Sequence, residues 1–302
     1  MAHLSGVFAP IVTPFRLDST SIDYAWIPYL LSYLRKQGLD GVVPIGTTSE
    51  GTSLSLHERK TLLDTVMARK GNLRVVAGVG TPSLTETIEL TRHAFASGVD
   101  SVLVLPPYYW RSVSDKGLLH YFRTLCDRAL EPGQKIMLYH IPQISGVPIT
   151  LTLLDGLMET HAECILGLKD STGNANSLVQ FVRRYPTLRI FVGSDRLVAF
   201  AYQIGAAGSI TACANLVPAA IQRIRAKVQR GEDVEEDQAA LDALRELLDE
   251  YPPLQASIKV LLTRLAHVPL TFVRPPLVNL TPHQRAELLE KARGLKILAG
   301  LL

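Results

Sequence analysis

The sequence predicts an α/β protein, a closed (β/α)8 TIM barrel with a C-terminal helical extension. Three observations predict it. Short apolar runs alternate with longer amphipathic stretches as far as about residue 230, eight such runs can be counted, and the chain beyond them changes character. Strands that alternate with helices make a parallel sheet, and eight strand–helix units are the number that closes a barrel. A doubly wound open sheet would use fewer strands. Its dinucleotide-binding turn is also missing, because Gly78-Val79-Gly80 meets Ser83 where a third glycine would stand.

The eight runs are 7–12, 41–45, 74–79, 101–105, 135–139, 164–168, 188–192 and 208–211. Each is four to six residues long, mostly apolar and bounded by turn formers, the signature of a strand buried on both faces. Between them lie helical patterns such as 56–69 and 85–96, and glycine stops such as Lys36-Gln37-Gly38 and Ala96-Ser97-Gly98. After residue 230 come a charged helix over 232–250, an amphipathic helix over 254–267 and a third over 282–298, with Pro275-Pro276 in the connecting segment. Residues 1–230 are therefore expected to form the catalytic barrel. Residues 231–302 are expected to be an appendage for packing or dimerisation, since nothing in it forms a site of its own.

Composition narrows the function. The 302 residues can bury a large core, and 47% hydrophobic with 20% charged residues is a globular balance. A net charge of +3, from 31 basic and 28 acidic side chains, is too even for a nucleic-acid surface but suits a small anionic substrate. Cys126, Cys164 and Cys213 have neither disulfide nor metal spacing, so reduced thiols in a cytoplasmic protein are expected. The start, Met1-Ala2-His3-Leu4-Ser5-Gly6, lacks a secretory pattern, and no run approaches the roughly eighteen apolar residues of a membrane span. The eight histidines include no HExxH pair, and neither a GxSxG elbow nor a GxxxxGK[ST] loop is present. No metal and no cofactor are expected.

In such a barrel the working residues lie at the carboxyl ends of the strands. Strand 6 ends at Lys169, followed at once by Asp170-Ser171-Thr172-Gly173. Burial strips an ammonium ion of its hydration and favours the uncharged amine, which can attack a carbonyl carbon. Strand 5 ends at Tyr139, beside strand 6, and a phenol near an amine can shuttle its protons. His140 follows, more in keeping with a structural hydrogen bonder than a base. After strand 2 the turn Gly46-Thr47-Thr48-Ser49-Glu50-Gly51 offers hydroxyls and N–H groups suited to a carboxylate. After strand 4, Tyr108-Tyr109-Trp110 forms an aromatic cluster that reads equally as an interface. Strands 7 and 8 end in Gly193-Ser194-Asp195-Arg196 and Ser209-Ile210-Thr211. Thr47, Thr48, Ser171, Gly193, Asp195, Arg196 and Ile210 are the candidate substrate-binding residues.

These segments resemble the N-acetylneuraminate lyase and dihydrodipicolinate synthase family of class I aldolases over nearly the whole chain. Gly46-Thr47-Thr48-Ser49-Glu50 is similar to the family's GTTGE turn, with Ser49 for glycine. Tyr139-His140-Ile141-Pro142 is similar to its Tyr-Asn-x-Pro segment, with histidine for asparagine, and Gly167-Leu168-Lys169-Asp170-Ser171-Thr172-Gly173 to its Schiff-base lysine motif. The resemblance implies that Lys169 forms an imine with pyruvate or a 2-oxo acid, that Thr47 and Thr48 hold the carboxylate, and that Tyr139 relays protons. It implies that Tyr109 reaches the site of a neighbouring copy, in a homotetramer built from dimers.

Two departures bear on the substrate. The branch that condenses pyruvate with aspartate semialdehyde usually has an arginine where this chain has Ile144. The sialate branch usually has an acid where this chain has Arg196, which could hold a second carboxylate or pair with a surface acid. With Arg274-Pro275-Pro276-Leu277, the pattern is similar to the 2-keto-3-deoxy sugar-acid aldolases. The expectation is a lyase acting on a 2-keto-3-deoxy sugar acid or a 4-hydroxy-2-oxo acid, with dihydrodipicolinate synthesis as the alternative. An isomerase of phosphorylated sugars would give Lys169 no covalent role, and a sugar-acid sensor would bind pyruvate without exchanging its methyl protons.

Overall fold

In the computed structural model, which describes residues 4–301, eight parallel strands close on themselves. They are β1 (Gly6–Ala9), β2 (Gly41–Val42), β3 (Arg74–Gly78), β4 (Ser101–Val104), β5 (Ile136–His140), β6 (Ile165–Asp170), β7 (Arg189–Val192) and β8 (Gly208–Ile210). Each pairs with the next, and β8 returns to β1 through Gly6 opposite Gly208 and Phe8 opposite Ile210. Around the barrel run α1 (Ile27–Lys36), α2 (Leu56–Arg69), α3 (Leu84–Ala96), α4 (Asp115–Ala129), the single turn α5 (Pro142–Ser145), α6 (Leu151–His161), α7 (Ala175–Arg184), α8 (Val198–Gln203) and α9 (Pro218–Gln229). The extension holds α10 (Glu235–Glu250), α11 (Leu254–Leu265) and α12 (Pro282–Arg293).

Side-chain caps fix several helix starts. Ser83, Ser114, Thr150 and Asn174 accept N–H bonds in the first turns of α3, α4, α6 and α7, and Ser55 with Glu58 closes a capping box on α2. Strand ends differ from the apolar runs for reasons of backbone chemistry. β1 stops before Pro10 and β2 before Pro44, because proline cannot donate to the ladder. Ile45 then turns into the left-handed region at φ 64. β6 runs the other way, past the end of its apolar run, because Lys169 and Asp170 stand opposite Tyr139 and His140 on one side and Phe191 and Val192 on the other. Lys169 thus belongs to the strand itself.

Two layers of apolar packing result. One lies between sheet and helices; the other fills the barrel with Phe8, Val43, Val76, Leu103, Met137, Phe191 and Ile210. Phe8 and Phe191 meet edge to face at 5.6 Å. The barrel is therefore filled by apolar side chains below its carboxyl end, where the candidate polar groups stand. Gly167 lets β6 and β7 approach, since a Cβ there would stand 1.9 Å from the Arg189 carbonyl oxygen. Among the described residues no helix is long and apolar enough to cross a membrane.

Candidate active site

Paired register places Tyr139 and Lys169 side by side at the barrel mouth, both buried. Lys169 Nζ donates to Tyr139 Oη at 3.2 Å and lies 4.3 Å from the centre of the ring. Thr47 Oγ1 is 3.3 Å from the same phenol oxygen. Burial alone would push the Tyr139 phenol up. The charge on Lys169 and the hydrogen bonds from Thr47 and Lys169 outweigh it, and the phenol lies below its ordinary value. An acidified phenol in contact with an amine is a group that gives and takes a proton readily.

The turn after β2 is tightly wound. Ile45 and Glu50 both adopt left-handed backbone, at φ 64 and 57, which a β-branched residue such as Ile45 rarely does. Gly51 N–H donates to the Gly46 carbonyl at 3.0 Å, and a Cβ on Gly51 would meet the Ile45 carbonyl oxygen at 2.3 Å. Thr13 Oγ1 donates to the Ser49 carbonyl at 2.6 Å and Ser49 Oγ to that of Ile11, so the turn is tied to the segment after β1. Ser49 stands where the resembling turn has glycine, and its hydroxyl makes one of these ties. Thr48 is buried beside Thr47.

Two hollows are bordered by neighbours of the Lys169–Tyr139 pair, one by Thr47 and the other by Gly193. A cavity of about 90 Å³ is bordered by Gly46, Thr47, Thr52, Arg59, Tyr108 and Ile141. A wider cleft of about 510 Å³ is bordered by Ser171, Thr172, Gly193, Ser194, Arg196 and Arg245. Gly193 lets the cleft wall approach the lysine closely, because a Cβ there would stand 1.8 Å from Ser171 Oγ and 3.0 Å from Lys169 Cε.

The remaining candidates fall into place unevenly. Asp195 borders the cleft, but its fully buried carboxylate accepts from the Cys213 N–H at 3.1 Å and from Arg245 at 3.2 Å. Arg196 pairs with Glu246 at 3.2 Å and Asp249 at 3.1 Å, the surface-acid role of the two open to it. Neither charge is left free for substrate. Ile210 packs in the barrel interior, in one apolar cluster with Tyr139. Tyr109 is 75% exposed, edge to face with Trp110, while its neighbour Tyr108 borders the smaller cavity. His140 Nδ1 accepts from the Ile149 N–H at 3.0 Å, and burial keeps the imidazole below its usual range.

Sequence reasoning missed, besides Arg59 and Arg245 at the cavity walls, a buried pair behind the turn. Glu50 was visible only as part of the turn, and Lys259 only as one charge on an amphipathic helix. They form an ion pair at 2.6 Å with side chains 1% and 0% exposed. Burial, only partly offset by the Glu50 charge, brings the Lys259 amine down to about 8. The available signal was Lys259 standing inside the run Ile258-Lys259-Val260-Leu261-Leu262, where a free ammonium would be costly.

The whole chain has clear relatives. The model of the Dihydrodipicolinate synthetase family matches residues 3–294. A protein of Chloroflexus aurantiacus described as an uncharacterized DapA-like lyase is 43% identical over 302 residues, 99% of each chain. This chain belongs to the family. YagE of E. coli K12, a prophage protein of the dihydrodipicolinic acid synthase family solved with pyruvate, superposes with a TM-score of 0.90 at 26% identity, covering 98% of this chain and 100% of that one. The 2-keto-3-deoxygluconate aldolase of a Sulfolobus species, solved with D-KDPG, gives 0.87 at 26% identity over 96% of each chain. Family members are carbon–carbon lyases, and this protein is a lyase of the class I aldolase type.

Proposed function

We propose that Lys169 forms a Schiff base with the 2-oxo group of a 2-keto-3-deoxy sugar acid or 4-hydroxy-2-oxo acid, which the enzyme cleaves to pyruvate and an aldehyde. The observation that carries this reading is the buried Lys169 Nζ held 3.2 Å from the Tyr139 phenol. The uncharged amine attacks C2 to give a carbinolamine, and a proton delivered to its hydroxyl lets water leave, giving a protonated imine. Removal of the proton from the C4 hydroxyl breaks the C3–C4 bond, the electron pair moves into the iminium to form an enamine, and the aldehyde departs. Protonation at C3 and addition of water then release pyruvate and restore the amine. Tyr139 carries the protons in this reading, which its hydroxyl 3.2 Å from Lys169 Nζ and 3.3 Å from Thr47 Oγ1 supports.

Thr47 and Thr48 offer hydroxyls and turn N–H groups to the pyruvoyl carboxylate. Ser171, Thr172 and Ser194 line the larger cleft with hydroxyls, which suits a polyhydroxylated aldehyde half. Ile144, 59% exposed, offers no cation to an aspartate semialdehyde carboxylate, so dihydrodipicolinate synthesis remains the second reading. The exposed Tyr109 and Trp110 support assembly into a homotetramer in which Tyr109 serves a neighbouring copy. The free thiols of Cys126, Cys164 and Cys213 suit the cytoplasm.

The test is borohydride reduction in the presence of pyruvate, followed by peptide mass analysis. A pyruvyl adduct is expected on the Lys169 peptide and absent from Lys169→Ala. An adduct elsewhere, or none, overturns the reading. Pyruvate release from a panel of 2-keto-3-deoxy acids then ranks the substrates.

A further inference from the structure

The C-terminal extension reaches into the turn that carries Thr47 and Thr48. Lys259 of α11 donates to Glu50 Oε1 at 2.6 Å and to the Phe272 carbonyl at 2.5 Å, and stands 4.9 Å from the centre of the Phe15 ring. The other Glu50 oxygen accepts the Arg274 N–H at 2.8 Å. From the preceding turn of the same helix, Gln255 Nε2 donates to the Thr47 carbonyl at 3.3 Å. Arg274 anchors the outer side through Glu58 at 2.7 Å and the Ser53 carbonyl at 2.8 Å.

These bonds hold a segment that is strained on its own account. Left-handed backbone at Ile45 and Glu50 brackets Thr47 and Thr48, and such conformations persist only where the surroundings impose them. A buried ion pair is a poor source of net stability, because desolvation cancels most of the attraction. Its geometry is nonetheless sharply defined, with both carboxylate oxygens and the amine engaged. From this we infer that Lys259, seconded by Gln255, is a positioning residue: through Glu50 and the Thr47 carbonyl it sets the Thr47–Thr48 turn where it receives the carboxylate of the 2-oxo acid. The inference rests on the Schiff-base reading above. It gives the extension a part in substrate binding although none of its described residues hydrogen-bonds to Lys169 or Tyr139.

The test uses exchange of pyruvate methyl protons for deuterium in D2O, followed by NMR, which reports imine and enamine formation without any aldehyde. Lys259→Met is expected to raise the KM for pyruvate about tenfold and Gln255→Leu about threefold, with kcat within about twofold of wild type, since the reacting amine and phenol are untouched. A general loss of structure would instead lower kcat through the active fraction. If Lys259→Met does not fold, Gln255→Leu, half-buried and uncharged, decides alone. A KM within about twofold of wild type in the folded variants, or a loss carried mainly by kcat, overturns the inference. Wild-type protein that exchanges no methyl protons overturns the Schiff-base reading instead, so the two failures are distinguishable.

Discussion

At the scale of single residues, Tyr139 gives the sharpest expectation. Its ring packs in the barrel interior while its hydroxyl meets both Lys169 and Thr47, so Tyr139→Phe removes the proton relay and leaves the packing intact. Turnover should fall about 10²- to 10⁴-fold, the usual worth of a general acid–base, while the borohydride adduct still forms on Lys169. Turnover within about tenfold of wild type would mean that another group moves the protons. Lys169 and Tyr139 were legible in the sequence because each ends an apolar run and neighbouring strands share a register. The ion pairs of Asp195 and Arg196 were not legible in the sequence for a physical reason. Their partners Arg245, Glu246 and Asp249 arrive from α10, some fifty residues downstream, and nothing local marks them.

Among the elements, α11 carries a pH signature. The Lys259 amine stands at about 8 in the folded protein against an ordinary 10.5, chiefly through burial, with Glu50 opposing that shift and Arg274 reinforcing it. Between those values the unfolded chain holds a proton that the folded chain has released, so this group's contribution to stability grows as pH rises from 8 to 10.5 and is lost as pH falls to 8. The stability of wild type relative to Lys259→Met should therefore climb across that window, by an amount on the order of 3 kcal/mol. Urea unfolding of both proteins at a series of pH values measures it. A flat difference would mean that the amine stays charged throughout. The apolar runs located all eight strands, and their errors were at the ends. Pro10 and Pro44 cut β1 and β2 short, while neighbours on both sides carried β6 on through two charged residues. A reading of hydropathy alone weighs neither the missing N–H nor the partner strand.

For the molecule as a whole, the mouth of the barrel is edged by apolar groups facing solvent: Tyr109 at 75%, Trp110 at 59% and Ile144 at 59% exposed. Such groups clustered beside a site favour contact with another protein surface. Wild type should sediment as a tetramer. Trp110→Glu should sediment as smaller species and lose about tenfold or more in turnover, through the displaced Tyr109. A monomeric wild type with full activity would remove the proposed role of Tyr109. Closure of the sheet was legible from the count of strand–helix units. The dependence of one loop near the start on a helix near the end was not, because periodicity reports which face of a helix is buried and not what it is buried against.

That long-range tie has a consequence for the making of the protein. A nascent chain that has completed β8 at Ile210 possesses Lys169, Tyr139 and both threonines, yet Gln255 and Lys259 have still to be translated. On the ribosome, a closed barrel would precede a competent keto-acid pocket, and the helical extension would mature a site whose reacting groups were already in place.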